Sequence, residues 1–269
     1  MSLLLISLYS PTLHAANIIF DLGGVLITTK YMKSVLSVGP LKMISYALTL
    51  QNPFASYKKM YGLLNVIKPL ALTTYTVRDS HGIPLPALMV DWLCGTISHT
   101  ELLQIIHQNL DYANNWIERL LIQSLAKTIF CPETFARTRA IVPEGVEFVK
   151  KCKAQGHKLY ILSNWDPDSF KVLQELYPTF FALFDGIVIS GNEGAAKPNP
   201  AIYHALLQKY QLDIKDCIVI DDQAENIAAA HNLGIATIHY SDKASLIFTV
   251  PNFDYVQQEL DPLLIPKDF

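Results

Sequence analysis

The chain lacks a basic cluster, and its formal net charge at pH 7 is -3. It therefore carries no electrostatic footprint for nucleic acid. No internal repeat is present. Cysteine is scarce, and Cys94, Cys131, Cys152 and Cys217 stand in neither a CxxC nor a metal-ligand spacing. Four buried thiols are expected. Cys94 and Cys131 fall in one helical segment, so a disulfide between them is conceivable if the protein is exported. The histidines are scattered and suggest no zinc site, so each is expected to be structural or solvent-facing. Past the N-terminal stretch, no run is long and apolar enough to span a bilayer. Residues 41–50 are too few and include Lys42, so the chain is not expected to be transmembrane.

Hydrophobic residues are plentiful. They make up 51% of the 269 positions, enough for a sizeable core in one large domain or two modest ones. The first fifteen residues, MSLLLISLYSPTLHA, hold an apolar run, a proline and Leu-His-Ala before Ala16. This resembles the hydrophobic part and cleavage site of a signal peptide and predicts a periplasmic or secreted protein. No Lys or Arg precedes the apolar run, so a cytoplasmic location is the alternative, with the segment a leading strand or tail.

The most informative stretch is Ile18-Ile19-Phe20-Asp21-Leu22-Gly23-Gly24-Val25-Leu26. A short apolar run reads as a buried strand of a parallel sheet. Its carboxyl end, where Asp21 stands, is where open α/β sheets bind ligands. The alternative is a strand and turn with Asp21 as a helix N-cap. Three later segments tip the balance. Leu159-Tyr160-Ile161-Leu162 ends in Ser163-Asn164, and Cys217-Ile218-Val219-Ile220 ends in Asp221-Asp222. Gly194-Ala195-Ala196-Lys197-Pro198 sets one lysine before a helix start. Together these are the groups that hold a phosphate and a divalent cation beside a carboxylate nucleophile.

Between Asp21 and Ser163 lies far more chain than one helix and two loops require. Roughly 110 residues are therefore inserted after the first strand. Ser98-His99-Thr100-Glu101 is a capping box ahead of apolar Leu102, Leu103, Ile105 and Ile106. Trp116-Ile117-Glu118-Arg119-Leu120-Leu121 also has helical spacing. Residues 30–68 read as helix, interrupted by Gly39-Pro40 and Asn52-Pro53. From Pro143 helices are expected at 143–155, 168–176, 200–210 and 224–232, and strands at 158–162, 186–190, 217–220 and 235–239. That alternation predicts an α/β fold, a Rossmann-like doubly wound parallel sheet. The tail after Ser241 is expected to pack back on the core.

The order of the four segments resembles the haloacid dehalogenase superfamily, whose commonest members are magnesium-dependent phosphatases. The resemblance covers residues 17–29 and about 140–240. It implies a core of residues 16–29 and 140–269 and a helical cap of residues 30–139 that selects the substrate, a small phosphate ester. It implies that Asp21 attacks phosphorus and forms an aspartyl-phosphate. The Mg2+ ligands would be Asp21, the backbone carbonyl of Gly23, and Asp222, with Asp221 acting through water or as an orienter. Ser163 (hydroxyl) and Asn164 (backbone N–H) would bind phosphate. Lys197 would neutralise it and keep Asp21 ionised. Without the resemblance, Lys197 reads as a surface loop lysine, and the Asp pair as an N-cap with a solvated neighbour. Asp166 and Asp168 are expected to cap the following helix.

One position departs from the superfamily pattern. Such phosphatases carry a second Asp two places after the nucleophile, which protonates the leaving oxygen. Here that place is Gly23. A general acid is worth roughly 10²–10⁴-fold. The Asp-Leu-Gly-Gly-Val form is similar to a sugar-phosphate phosphatase branch that also has glycine there and is regarded as active. The alternatives are a catalytically weak phosphate- or metal-binding protein of the same fold and, third, a haloacid dehalogenase.

Overall fold

The structure, a computed structural model, describes residues 15–29, 53–69, 75–79, 82–113, 115–240, 243–244, 249–250 and 252–265. Residues 1–14 of the leader expected at 1–15, and residues 30–52 of the stretch expected as helix over 30–68, with its Gly39-Pro40 break, lie outside the described residues.

In chain order the elements are β1 (Asn17–Phe20), β2 (Ile27–Thr29), α1 (Pro53–Ile67), α2 (Ala87–Leu93), α3 (His99–Gln108), α4 (Trp116–Phe130) and α5 (Pro132–Arg137). There follow β3 (Arg139–Ile141), α6 (Pro143–Ala154), β4 (Lys158–Ser163), α7 (Pro167–Leu176), α8 (Pro178–Phe181), β5 (Gly186–Ile189) and α9 (Ser190–Glu193). Next are α10 (Pro200–Tyr210), β6 (Cys217–Asp221), α11 (Ala224–Asn232) and β7 (Ala236–His239), and after two short strands the tail forms α12 (Phe253–Leu263).

Five strands form one parallel sheet in the order β5-β4-β1-β6-β7. The strands are apolar along their length because both faces are covered. Side chains alternate between the two faces. Ile18, Phe20, Leu159, Ile161, Ile218 and Ile220 enter one layer, packed by Phe148, Leu173, Val256 and Leu260 of α6, α7 and α12. Ile19, Tyr160, Leu162, Cys217 and Val219 enter the other, packed by Ile202, Tyr203 and Leu206 of α10 and Ala230 of α11. The tail thus returns to the core through α12. Strand order reverses about β1, since the chain builds β4 and β5 on one side and β6 and β7 on the other. That reversal opens a crevice beyond the carboxyl ends of the strands.

The sequence did not suggest the pairing of β2 with β3, which runs antiparallel from Ile27↔Ile141 to Thr29↔Arg139. Each strand has three residues, too few for a periodic signal. The chain leaves the core through β2 and returns through β3, so the insert is closed at its neck beside the Asp21 loop. Within the insert, α1 to α4 share their own apolar cluster, which includes Met60, Leu64, Trp92, Leu102, Ile122 and Phe130. The capping box of α3 forms as read: Ser98 Oγ accepts from the Glu101 N–H at 3.2 Å, and Glu101 Oε2 accepts from the Ser98 N–H at 2.8 Å.

The helical layer docks on the core just beyond β5. Ser190 Oγ donates to the Leu93 carbonyl at 2.6 Å. Trp92, Phe135 and Trp165 form a chain of edge-to-face rings across the junction. Two polar contacts flank it, a hydrogen bond between His99 Nδ1 and Asp168 Oδ2 at 2.7 Å and an ion pair between Arg78 Nε and Glu225 Oε1 at 3.2 Å. Asp168 therefore reaches across to the helical layer instead of capping its own helix.

The expectation of four buried thiols holds for two. Cys152 and Cys217 are buried, whereas Cys94 and Cys131 are half-exposed, because each ends a helix at the surface of the insert. All four are free, and Cys131 Sγ donates to Glu133 Oε2 at 3.3 Å. Among the described residues no helix is long and apolar enough to cross a membrane.

The docking of the layer depends on Gly95, which has φ +69°, and a Cβ there would lie 2.3 Å from the Gly191 carbonyl oxygen. Gly95→Ala is expected to cost about 1–3 kcal/mol, read as a shift in denaturant midpoint at unchanged slope. Gly62 lies mid-helix on an exposed face of α1, with nothing within 4 Å of an added Cβ. Gly62→Ala should instead stabilise by about 0.5–1 kcal/mol.

Candidate active site

Three strand ends and one loop converge in the crevice. Asp21 follows β1, Ser163 ends β4 and Asp221 ends β6, while Lys197 enters from the loop before α10. Asp21, Ser163, Lys197 and Asp221 are all buried, with Lys197 only 2% exposed. The reading of Lys197 as a surface lysine is therefore overturned.

The contacts of Asp21 are one-sided. Oδ1 accepts from Ser163 Oγ at 2.7 Å and from the Leu22 N–H at 2.7 Å, and pairs with Lys197 Nζ at 2.9 Å. All three fall on one oxygen, which fixes the carboxylate plane and leaves Oδ2 outside the network. Lys197 Nζ also donates to Asp221 Oδ2 at 2.6 Å. Burial alone would strip the proton from this ammonium, but the charges of Asp21 and Asp221 outweigh it and hold Lys197 protonated. For Asp21 the balance differs from the sequence reading. Burial pushes its carboxyl up more than Lys197 pulls it down, and Asp221 adds to the rise.

Asp221 and Asp222 sit side by side in different environments. Asp221 Oδ1 accepts from the Gln223 N–H and from Asn226 Nδ2, each at 2.9 Å, and Oδ2 is taken by Lys197. Three protein donors thus hold that carboxylate in place. It is buried and bonded, not an N-cap with a solvated neighbour. Asp222 Oδ1 is buried with no hydrogen-bond partner. Burial, then repulsion from Asp21 and Asp221, pushes the Asp222 carboxyl up to about 8. Gly24 makes room for it, because a Cβ there would lie 2.2 Å from Asp222 Oδ2, and Gly24 has φ +80°.

Asp21, Asp221 and Asp222 each offer an oxygen within 4.8 Å of the others. Three carboxylates face one ammonium, one carboxylate oxygen is orphaned, and every donor is oxygen. The set fits a hard divalent cation. With Asp221 held by three protein donors, Asp21 Oδ2 and Asp222 are the oxygens least engaged by the protein.

Sequence reasoning missed the supports. The Asn164 side chain clasps the lysine loop, with Oδ1 accepting from the Lys197 N–H at 2.7 Å and Nδ2 donating to the Lys197 carbonyl at 2.9 Å. Asn226 holds Asp221, and Tyr203 OH in turn donates to the Asn226 carbonyl at 2.9 Å. An Asn or Tyr on an amphipathic helix gives no pattern that could have announced these contacts. Asp166 caps α7 as expected, with Oδ1 accepting from the Ser169 N–H at 2.9 Å. His157, read as structural, is buried, and its Nδ1 accepts from the Ala16 N–H at 3.2 Å.

Residues 16–234 match the family model of haloacid dehalogenase-like hydrolases. Among curated proteins, sesquiterpene phosphatase astK of Aspergillus oryzae is 32% identical over 94 residues, 35% of this chain and 47% of that protein. Haloacid dehalogenase-like hydrolase domain-containing protein 3 of Xenopus laevis is 27% identical over 149 residues, 54% of this chain and 59% of that protein. The chain thus spans about half the length of these curated relatives. Among solved structures, the HAD family enzyme bt-2542 of Bacteroides thetaiotaomicron matches with TM-score 0.57 and 18% identity, over 86% of this chain and 96% of that one. Its complex with magnesium and inorganic phosphate matches at TM-score 0.54 and 18% identity, over 87% and 98%. At that identity the likeness concerns the fold.

The strain at Asp222 makes a prediction. Its carboxyl is raised in the fold, so the metal-free protein loses stability as pH rises from the ordinary Asp range toward 8. Asp222→Asn should stabilise the metal-free protein at pH 8 by on the order of 1–3 kcal/mol. The same change should weaken magnesium binding. Thermal melts with and without magnesium check both, and a variant still stabilised by magnesium as wild type is would refute the assignment.

Proposed function

The chain belongs to the haloacid dehalogenase-like hydrolase family, and on that premise we propose that it is a magnesium-dependent phosphatase of small phosphate monoesters, sugar phosphates among them. The observation that carries the reading is the one-sided anchoring of Asp21, whose Oδ1 takes all three donors while Oδ2 takes none. An oriented carboxylate with one uncommitted oxygen is what in-line attack on phosphorus requires.

In this reading Asp21 Oδ2 forms the bond to phosphorus as the ester oxygen leaves. Water then cleaves the aspartyl-phosphate and releases inorganic phosphate. Lys197 faces the transferring group with a charge that the two carboxylates hold in place. The Asn164 backbone N–H binds a phosphate oxygen while its side chain keeps Lys197 in position, and the Ser163 hydroxyl, which the sequence reading gave to phosphate, instead donates to Asp21 and orients it. Magnesium held by Asp21, Asp222 and the Gly23 carbonyl would supply the charge that lets two anions approach. Asp221 acts on Lys197 from behind. The insert, residues 30–139, serves as the cap over the crevice and selects the substrate. Support comes from its docking beyond β5 and from the phosphatase named among the relatives.

The test is a panel of phosphate esters with and without magnesium. Wild type should turn over at least one ester in a magnesium-dependent way. Asp21→Asn should lose more than about 10³-fold in kcat while remaining folded at the assay temperature. A variant that hydrolyses at the wild-type rate would refute the nucleophile. Phosphate binding without any turnover would favour the weakly catalytic alternative, which rests on Gly23. Halide release from 2-haloacids without magnesium would favour the dehalogenase reading.

A further inference from the structure

Attack on phosphorus leaves an electron pair on the departing oxygen, and something must accommodate that charge. Resting on the phosphatase reading above, we infer that no described side chain protonates that oxygen, and that the substrates carry phosphate on a weakly basic oxygen. This class comprises acyl, enol and aryl phosphates and phosphoanhydrides. Of sugar phosphates, the anomeric esters come nearest to it.

The inference rests on where the protons around Asp21 already go. Ser163 spends its hydroxyl on Asp21. Lys197 is pinned between Asp21 and Asp221 at 2.9 and 2.6 Å, and giving up a proton would leave those carboxylates facing each other uncompensated. Tyr203 OH is buried and donates to the Asn226 carbonyl. His239 Nε2 donates to the Asp222 carbonyl at 3.0 Å. Asp221 is an acceptor at both oxygens. Asp166, a carboxyl on the loop after Ser163, is buried within its own helix cap against Ser169. On the phosphatase reading, Asp222 is one of the carboxylates that face the cation.

Position 23 strengthens the case. A Cβ at Gly23 would meet nothing within 4 Å, and no left-handed φ is required there. The neighbouring Gly24 is constrained on both counts. A side chain therefore fits at 23 and clashes at 24, so the want of an acid at 23 is not a packing requirement.

The chemical balance is simple. The Asp21 oxygen–phosphorus bond forms, the phosphorus–leaving-oxygen bond breaks, and the electron pair departs with that oxygen as an anion. Solvent supplies its proton afterwards. Water then breaks the Asp21–phosphate bond, returning the carboxylate, inorganic phosphate and a proton to solvent.

The test measures the first step itself, by rapid-quench phosphorylation of Asp21 with magnesium present. The series runs from acetyl phosphate through aryl phosphates to simple alkyl phosphates. The logarithm of the rate should fall steeply with leaving-group pKa. Gly23→Asp should flatten the slope and speed alkyl substrates by up to roughly 10²–10⁴-fold, whereas Gly23→Asn, equal in size but not acidic, should give no gain. A wild-type phosphorylation rate independent of leaving-group pKa overturns the inference and leaves the phosphatase reading standing. If no member of the series, acetyl phosphate included, phosphorylates Asp21, the phosphatase reading itself falls. The wild-type slope decides the matter even if neither variant folds.

Discussion

The ammonium of Lys197, held between Asp21 and Asp221, is the interaction on which the rest of the site depends. A lysine buried to this degree would surrender its proton without opposing charge. Each carboxylate alone would resist ionisation in the same surroundings. Together they form a charged row that joins the ends of β1 and β6 to the loop before α10. Removing one member of a buried pair costs about 3–5 kcal/mol, because it strands the others. The neighbouring bonds from Asn164, Asn226 and Gln223 saturate this row and hold it in one arrangement.

That saturation separates two aspartates that stand next to each other in the chain. Asp221 takes three protein donors, from Lys197 and from the start of α11. Asp222 spends little, and one of its oxygens is buried without a partner. That unpartnered oxygen opposes the stability of the metal-free protein, and Asp222 belongs to the three carboxylates whose oxygens lie within 4.8 Å of one another. Gly24 is the backbone counterpart of that arrangement, since only glycine leaves room for the Asp222 carboxylate at its φ.

Much of the core was legible before any coordinates. Strands buried on both faces are continuous apolar runs, and β1, β4 and β6 each end in the polar residue that enters the crevice. Helix starts were marked by prolines and by the Ser98–Glu101 capping box. What escaped was short or depended on partners far away in the chain. The β2–β3 pairing has three residues a side. Asp168 looked like a cap until the fold brought His99 within 2.7 Å. Cys94 and Cys131 were expected to be buried for want of any ligand or CxxC spacing, yet each lies at a helix end near the surface. Asn164 and Asn226 carry no motif that distinguishes a structural clasp from a surface amide.

By itself the sequence determined the class of fold and singled out Asp21, Ser163, Lys197, Asp221 and Asp222, which the fold brings together in one crevice. It could do so because periodicity and strand-end position are local properties. Only the tertiary structure decided how these groups divide the work. It turned three donors onto one oxygen of Asp21, saturated Asp221 while leaving Asp222 strained, and left open space beside Gly23. Those outcomes depend on distances between strand ends that are far apart in the chain, and on whether burial or a neighbouring charge wins at each carboxylate.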